Sequence, residues 1–431
     1  MKKQLIIIQL LLLVYLPLIA DVRTVRVQLI EAATEECFDM PERPVLVMDN
    51  AVGSIGEEGD KNGHLVEISW DEMSQNFKQY TYSIEHLNGD GSSSTLMSSE
   101  YVTGFTTADV GDYTPSFNVQ REYTHYRFVW PNRDMRIRAS GIYRIHVYED
   151  GDRNKEALRV EVPVTEERCI IHGRVLSNTD IEFSGRYQQL ELSITDDGTS
   201  ANMRQDYKIE VRQNGRRDNC VYGVPPTYVE PSRLRWEHCK ELIFEAGNEY
   251  RHFDTYSTYF AGTGVDRIVY EMGDYHAALP MAFVRAGEPY LSEYDVNGQF
   301  KVNAEKTNDP DTEGEYMWVH WLLHVDQPWL DGAVYVGGDL FQNRFTIANR
   351  MDYDPDTKCY FLSAFIKQGA YDYQFFFKKK EDRAATPLQK DLVTLKRTEG
   401  SHWQTRNEYM VFVWYRPFGA RADRLVGIKT L

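Results

Sequence analysis

Apolar and polar residues alternate with a period of two through most of this sequence, and this pattern constrains the fold more than any other feature. Between residues 142 and 148, Tyr143, Ile145 and Val147 fall on one face, and Arg144 and His146 fall on the other. Neighbouring side chains of a β-strand point to opposite faces of its sheet, so the alternation predicts half-buried strands. No amphipathic helical stretch longer than about two turns stands out. The chain is therefore predicted to be all-β.

Segments rich in turn-forming residues separate the predicted strands. They include Asn88-Gly89-Asp90-Gly91, Asp150-Gly151-Asp152 and Asn297-Gly298. Many short strands joined by such turns are typical of antiparallel β-sandwiches. Further strands are predicted at residues 23–29, 188–195, 207–213, 242–245, 316–325, 371–378 and 409–415.

The length of 431 residues allows several domains. We expect a signal peptide at residues 1–20, followed by tandem immunoglobulin-like sandwiches. The first is predicted at residues 21–165, the second at 166–284, and a third with early-set-like features at 285–431. No Pro/Ser-rich linker marks these boundaries.

The N-terminus has the pattern of a secretory signal. Lys2 and Lys3 precede an apolar run from Leu5 to Ile19, and charged residues follow Ala20. The run is shorter than the roughly 20 residues that a membrane-spanning helix needs. No cysteine follows Ala20, so we expect no lipid anchor. The mature protein is expected to be exported and to reach a membrane only through a partner.

The charge balance excludes one class of function. The chain has 48 Lys and Arg residues against 65 Asp and Glu residues, a net charge of −17. Proteins that bind nucleic acid without sequence specificity gain most of their affinity from Lys and Arg side chains that neutralise phosphates. No basic block offsets the acidic surface, so we expect no nucleic-acid partner.

Two patterns resemble metal sites, and each departs from the motif. The acidic hairpin that begins at Asp150 has Lys155 where a calcium-binding EF-hand loop needs glycine. The acidic hairpins at residues 309–320 and 352–356 also miss required positions. His320 and His324 have the spacing of a zinc-hydrolase helix, but Trp321 stands in place of the catalytic Glu and the local pattern is that of a strand. We expect no metal and no cofactor.

The sequence also lacks the signatures of common enzymes. No nucleophile elbow, phosphate-binding loop or dinucleotide-binding fingerprint is present. The five cysteines are scattered and odd in number, so they predict no disulfide scaffold. A Cys220–Cys239 bridge stays open beside free buried thiols. A glycosidase needs only two carboxylates that the fold brings together, so an exported hydrolase also stays open. We expect the chain not to be an enzyme.

Several longer segments are too particular to be generic strands and turns. They lie at residues 44–50, 80–86, 99–105, 112–118, 123–126, 130–132, 140–143, 212–214, 247–254, 295–298, 367–374 and 415–419. In order, and over nearly the whole mature chain, they resemble the plug protein family of the type IX secretion system. One departure is Leu87-Asn88-Gly89-Asp90, where the family pattern tends to have Cys-Asn followed by Trp.

The resemblance implies a non-enzymatic periplasmic protein, peripheral to the outer membrane of a Gram-negative bacterium. Its implied partner is the giant outer-membrane β-barrel translocon of that system, whose periplasmic opening it would close. The alternative is an exported glycan-binding β-sandwich protein. The partner interface is unknown. The residues carried over from the family motifs are expected to be structural: Asp49, Asn50, Gly104, Asp112, Tyr113, Gly247, Asn248, Glu249, Arg251, Phe253, Asp254, Gln368 and Gly369.

The segment at residues 247–254 supports two interpretations. If it forms one strand, Glu249, Arg251 and Phe253 share a face, which allows a carboxylate–guanidinium pair beside an aromatic ring. Asn248 and His252 then line the opposite face. Such a cluster could contact the translocon, or it could be a satisfied polar network at a strand end. We favour the structural interpretation.

Overall fold

The computed structural model describes residues 22–30, 43–48, 65–196, 202–380 and 392–431, and in this part of the chain strands dominate. The prediction of an all-β sandwich fold is confirmed. The α-helices among the described residues are single turns, α1 (Ser98–Tyr101), α2 (Met203–Asp206) and α3 (Pro310–Glu313). Short 3-10 helices span Lys240–Leu242, Asp339–Phe341 and Ile347–Asn349. This agrees with the absence of a long amphipathic pattern in the sequence.

The first sandwich packs a four-stranded sheet against a five-stranded sheet. Trp70, Tyr126 and Trp130 from one sheet and Tyr82 and Ile145 from the other lie in its core. In sheet order, the first sheet contains β1 (Val22–Leu29), β3 (Val66–Glu72), β8 (Thr124–Trp130) and β7 (Asp112–Pro115). The second contains β2 (Leu46–Val47), β11 (Glu156–Thr165), β10 (Gly141–Glu149), β4 (Tyr80–Leu87) and β6 (Thr107–Asp109), and a separate ribbon pairs β5 (Val102–Gly104) with β9 (Met135–Ile137).

The next seven strands build most of the second sandwich. Its core contains Leu192, Val211 and Trp236. The strands are β12 (Ile170–Leu176), β13 (Tyr187–Thr195), β14 (Tyr207–Gln213), β15 (Val221–Tyr222), β16 (Tyr228–Glu230), β17 (Arg233–Trp236) and β18 (Ile243–Glu245).

The third sandwich is centred on the long antiparallel pair at Tyr316–His324 and Cys359–Lys367. One sheet contains β20 (Arg267–Glu271), β21 (Asp274–Ala278), β22 (Ala282–Phe283), β24 (Tyr316–His324), β26 (Asp352–Asp354) and β27 (Cys359–Lys367). The other contains β19 (Arg251–Asp254), β23 (Phe300–Val302), β25 (Gly332–Gly337), β28 (Gly369–Lys379) and β29 (Val393–Thr394). Most strand pairs are antiparallel. The parallel pairs are β2 with β11, β21 with β24, and β22 with β24.

The last two strands return to the second sandwich. β30 (Tyr409–Tyr415) pairs with β14 along its full length, and β31 (Arg424–Thr430) pairs with β30. The pairing therefore departs from the three consecutive segments at 21–165, 166–284 and 285–431. As the division into domains, we propose that the third sandwich is inserted into the second, which the chain leaves after β18 and re-enters at β30.

Gly141 shows how one position fixes the packing inside the first sandwich. Its φ is +152°, and a Cβ there would lie 2.3 Å from Nε2 of the buried His86. His86 Nε2 itself lies 2.9 Å from the carbonyl oxygen of Ser140, so the ring cannot move away without losing this contact. The position leaves room for hydrogen only.

Gly141→Ala is expected to lower the free energy of unfolding by about 1–3 kcal/mol, because the methyl group must displace a buried ring. Urea denaturation measures the change. Gly111→Ala is the matched control, since a Cβ at Gly111 meets nothing within 4 Å. If the two variants have the same stability, the proposed clash does not limit this position.

Candidate functional site

Buried charges join the first and third sandwiches. Asp71, on β3, and Lys367, the last residue of β27, are 1% and 0% exposed. The Lys367 ammonium lies 2.6 Å from Asp71 Oδ2. Burial lowers the pKa of Lys367, whereas the charge of Lys367 and the hydrogen bond to His125 hold the pKa of Asp71 below its usual value despite burial. The two side chains thus form a buried ion pair between two sandwiches.

Neighbouring groups complete this first–third junction. The Tyr316 hydroxyl donates to Asp71 Oδ2 at 2.7 Å, and the Lys367 ammonium lies 4.2 Å from the centre of the Tyr123 ring. The Tyr123 hydroxyl donates to the carbonyl oxygen of Gly314 at 2.9 Å. Beside them, Arg26 Nη2 of β1 lies 2.6 Å from an Asp311 carboxylate oxygen. Polar and aromatic contacts therefore cross the junction together.

The first and second sandwiches meet through a carboxylate on each side. Arg424 Nη2, on β31, lies 2.7 Å from Glu166 Oε1, and the Ser140 hydroxyl donates to the same oxygen at 2.7 Å. The backbone N–H of Gly89 donates to Asp423 Oδ2 at 3.0 Å. A Cβ at Gly89 would lie 2.8 Å from the Trp414 ring. The segment Leu87-Asn88-Gly89-Asp90, which departs from the family pattern, thus places a glycine against this Trp.

The segment at residues 247–254 lies where the chain passes from the second sandwich into the third, and it does not form one continuous strand. Only Arg251–Asp254 is strand, and Arg251 does not pair with Glu249. Its guanidinium instead lies 3.0 Å from Glu399, which is fully buried and also binds Arg285. Burial raises the pKa of Glu399, but the two guanidinium groups hold it below the usual range.

The other residues of this segment also make internal contacts. The Asn248 side chain donates to the carbonyl oxygen of Glu399 at 2.8 Å, and the backbone N–H of Gly247 donates to the Ser401 hydroxyl at 2.9 Å. Glu249 is buried and accepts a hydrogen bond from the Tyr290 hydroxyl. Phe253 is buried in the core of the third sandwich. These contacts support the structural interpretation of the segment.

Arg43 contacts all three sandwiches. It precedes β2 of the first sandwich, and its Nη1 lies 2.8 Å from Asp339 of the third. Its Nη2 donates to the carbonyl oxygen of Asn214 at 3.0 Å, and its Nε lies 3.2 Å from Glu408, both beside strands of the second sandwich. The backbone of Arg43 thus belongs to the first sandwich, and its guanidinium group binds acceptors of the second and of the third.

The remaining predicted residues are spread over the molecule. Gln368 accepts from the backbone N–H of Glu315 at 2.9 Å, and the Gly369 N–H donates to Thr255 Oγ1 at 3.2 Å. Asp254 Oδ2 accepts from the N–H of Thr263 at 2.8 Å. These three positions shape turns and strand ends within the third sandwich.

In the first sandwich, Gly104 has a φ of +104°, and a Cβ there would lie 2.1 Å from the carbonyl oxygen of Asp134. Asp112 is exposed and lies 2.8 Å from Arg127, and Tyr113 is exposed with its ring 4.8 Å from that of Phe77. Asp49 and Asn50 lie outside the described residues. A structural role for all thirteen motif residues stays a prediction.

The acidic hairpins use their carboxylates within their own turns. Asp152 accepts from the N–H of Asn154 at 3.0 Å, Asp309 from that of Asp311 at 3.0 Å, and Asp354 from that of Asp356 at 3.1 Å. Among the described residues, no group of three or more His, Cys, Asp and Glu side chains is placed to hold a metal ion. Among the described residues, Cys220, Cys239 and Cys359 are free thiols.

His320 and His324 lie on the strand β24, as the alternation indicated. His320 Nδ1 lies 2.7 Å from the Ser363 hydroxyl, and its Nε2 lies 3.0 Å from His276 Nδ1. Burial lowers the pKa of His320 to about 3. The imidazole is therefore neutral at ordinary pH, with both nitrogens engaged inside the sheet.

Sequence reasoning missed Asp71 and Lys367 as junction residues and Glu399 as the partner of Arg251. Lys367 is 296 residues from Asp71, and Glu399 is 148 residues from Arg251. A polar residue within a buried strand could have indicated such a site. Asp71 follows Ser69 and Trp70 in a strand whose remaining residues are mostly buried.

Together, the fold and its junctions define an all-β protein whose sandwiches are joined by polar contacts, with a buried ion pair between the first and the third. The family model for the first domain of the type 9 secretion system plug protein matches residues 53–166. Residues 53–166 thus match the first domain of the type IX secretion system plug protein family, which supports a role associated with secretion by that system.

Solved structures extend the comparison beyond the first sandwich. The crystal structure of a hypothetical protein from Parabacteroides merdae is similar at 30% sequence identity and a TM-score of 0.85, over 95% of this chain and 97% of that chain. The BSP domain of a biofilm-associated protein shares 8% identity over 92% of this chain and 61% of that chain, with a TM-score of 0.16, which carries no argument. No curated protein matches. No helix within the described ranges is long and apolar enough to cross a membrane.

Proposed function

We propose that this protein is a non-enzymatic plug that closes the periplasmic opening of the type IX secretion system translocon barrel. The family match supports a role in this secretion system, and the junctions support the specific role. A pore wide enough for folded cargo leaks solutes when it stands open, so the closing protein must keep its shape while seated in the entrance. The observation that carries the proposal is the buried Asp71–Lys367 pair and the aromatic rings around it, which join the first and third sandwiches.

The three junctions oppose relative movement of the sandwiches. Separating the first and third sandwiches would expose the Asp71–Lys367 pair and the aromatic rings around it, and separating the second and third would break the hydrogen bond from the Thr394 hydroxyl to Glu245. Separation would also expose buried aromatic surface to water, which is unfavourable. The junctions therefore favour one arrangement of the three sandwiches.

Association with the barrel should depend on salt. The net charge of −17 favours a basic entrance on the partner, and electrostatic complementarity of this kind chiefly raises the association rate. A stable seal also needs an interface above about 1,000 Å². Both features are expected of a periplasmic protein that is peripheral to the outer membrane through its partner.

The test is a deletion of the gene in strains with and without the translocon barrel. We expect outer-membrane permeability to large polar antibiotics to rise when the barrel is present and to stay unchanged when it is absent. An affinity-tagged chain should recover the barrel from solubilised outer membranes. If deletion raises permeability equally in both strains, or if the tagged chain does not recover the barrel, the plug proposal is rejected. Retention of the chain on glycan columns would then favour the glycan-binding alternative.

A further inference from the structure

A cavity of about 530 Å³ lies where the three sandwiches meet. Its walls come from β1 and β11 of the first sandwich, from the end of β14 and the following turn of the second, and from residues 339–344 of the third. A volume of this size lies within the range of pockets that hold small ligands. The cavity is separate from the Asp71–Lys367 and Arg251–Glu399 pairs described above.

The charge of the lining is opposite to that of the protein. Acidic residues outnumber basic ones in the chain by 65 to 48, but the lining contains seven arginines against Glu161 and Asp339. The arginines approach from every wall: Arg26, Arg144 and Arg159 of the first sandwich, Arg43 before β2, Arg212 and Arg217 of the second sandwich, and Arg344 of the third. No lysine is among the described residues that line the cavity.

Carboxylates outside the lining form ion pairs with several of these guanidinium groups. Asp311 binds Arg26, Glu156 binds Arg159, and Glu210 binds Arg212. A guanidinium has five N–H donors, and one carboxylate uses at most two of them. The pairs therefore fix the arginines in place and leave donors for a further anion.

Two arginines are least compensated. Arg344 has no acidic partner among the described residues, and its Nη2 donates only to the carbonyl oxygen of Arg159, at 3.2 Å. Arg217 shares Glu161 with Arg144, at 2.9 Å and 3.0 Å respectively. Burial, together with the positive charge of nearby Arg212, lowers the pKa of Arg217. Among the described residues, positive charge is therefore in excess at this end of the cavity.

We propose that this cavity binds a compact polyanion through its phosphate groups. Planar guanidinium groups match phosphate oxygens in bidentate geometry, and arginines on three walls suit a ligand that presents negative charge in several directions. Such a ligand contacts all three sandwiches at once, so binding stabilises their arrangement by mass action. This inference is independent of the proposed role as a plug.

Tripolyphosphate is the probe, and the full mature chain is the sample. Isothermal titration calorimetry should show saturable binding, and the melting temperature should rise with probe concentration. The double variant Arg217→Gln/Arg344→Gln should bind roughly tenfold more weakly or worse, because hydrogen bonds to charged groups are lost. Glu161→Gln should bind more tightly, since it removes a competing carboxylate from the lining. Absence of saturable binding to the wild-type chain overturns the proposal.

The matched control is Arg174→Gln/Arg186→Gln, which removes the same charge from arginines outside the lining that are 70% and 61% exposed. It should bind the probe like the wild-type chain, and equal weakening in both double variants would overturn the site. Vesicles with and without phosphatidylglycerol identify the source of the phosphate. If the wild-type chain sediments with the anionic vesicles and Arg217→Gln/Arg344→Gln does not, the ligand is a lipid headgroup. If the wild-type chain binds tripolyphosphate but not the vesicles, the ligand is a free phosphate compound.

Discussion

Lys367→Ala is expected to lower the free energy of unfolding by about 3–5 kcal/mol. The substitution leaves the buried Asp71 carboxylate without the ammonium that lies 2.6 Å away, and it leaves the carbonyl oxygen of Asp311 without a donor. A buried charge that loses its partner keeps its full desolvation penalty. Urea denaturation followed by tryptophan fluorescence measures the loss.

Two further variants make this result specific. Asp71→Leu/Lys367→Met removes both charges and should recover much of the lost stability, since apolar replacement of a whole buried pair is often neutral. Lys358→Ala is the exposed control: its ammonium lies 3.2 Å from Asp326, and the two side chains are 53% and 76% exposed. That variant should change stability by less than about 1 kcal/mol. Equal losses of stability in Lys367→Ala and Lys358→Ala would show that the buried pair contributes no more to stability than an exposed one.

Individual strands could be predicted from the sequence because alternation reports burial directly. The strands predicted at residues 207–213 and 409–415 have those bounds in the structure. Their partnership could not be predicted in the same way. A period of two indicates which face is buried, but it does not indicate which strand lies beside it, and β14 and β30 are almost 200 residues apart. The proposed insertion of the third sandwich rests on this pairing.

The segment at residues 247–254 shows why long-range contacts escaped prediction. Its alternation suggested one strand with an internal Glu249–Arg251 pair, but Gly247 has a φ of +67° and Asn248 is held by the carbonyl oxygen of Glu399. Contacts from residues 399–401 therefore shape the segment before β19 begins. Long-range partners of this kind decide both the strand's length and the arginine's ion pair, and a single sequence does not identify them.

Acid should destabilise the wild-type protein more than a His320→Gln variant. The unfolded chain takes up a proton on this imidazole near its usual pKa, about 6.5. The folded chain takes it up only when the pH approaches the lowered pKa of about 3. Unfolding therefore binds a proton between these values, and the stability present at neutral pH is lost as the pH falls. Between about pH 7 and about pH 4, this linkage is worth about 3 kcal/mol.

The measurement is the free energy of unfolding of both proteins at a series of pH values, taken as a difference so that unrelated groups cancel. His320→Gln costs packing at every pH, but the gap between the two proteins should narrow as the pH falls. His238→Gln should act in the opposite direction, because Asp180 raises the pKa of this exposed histidine and its contribution is greatest in acid. A gap between wild type and His320→Gln that stays constant from neutral to acid pH would show that His320 is not held neutral in the folded protein.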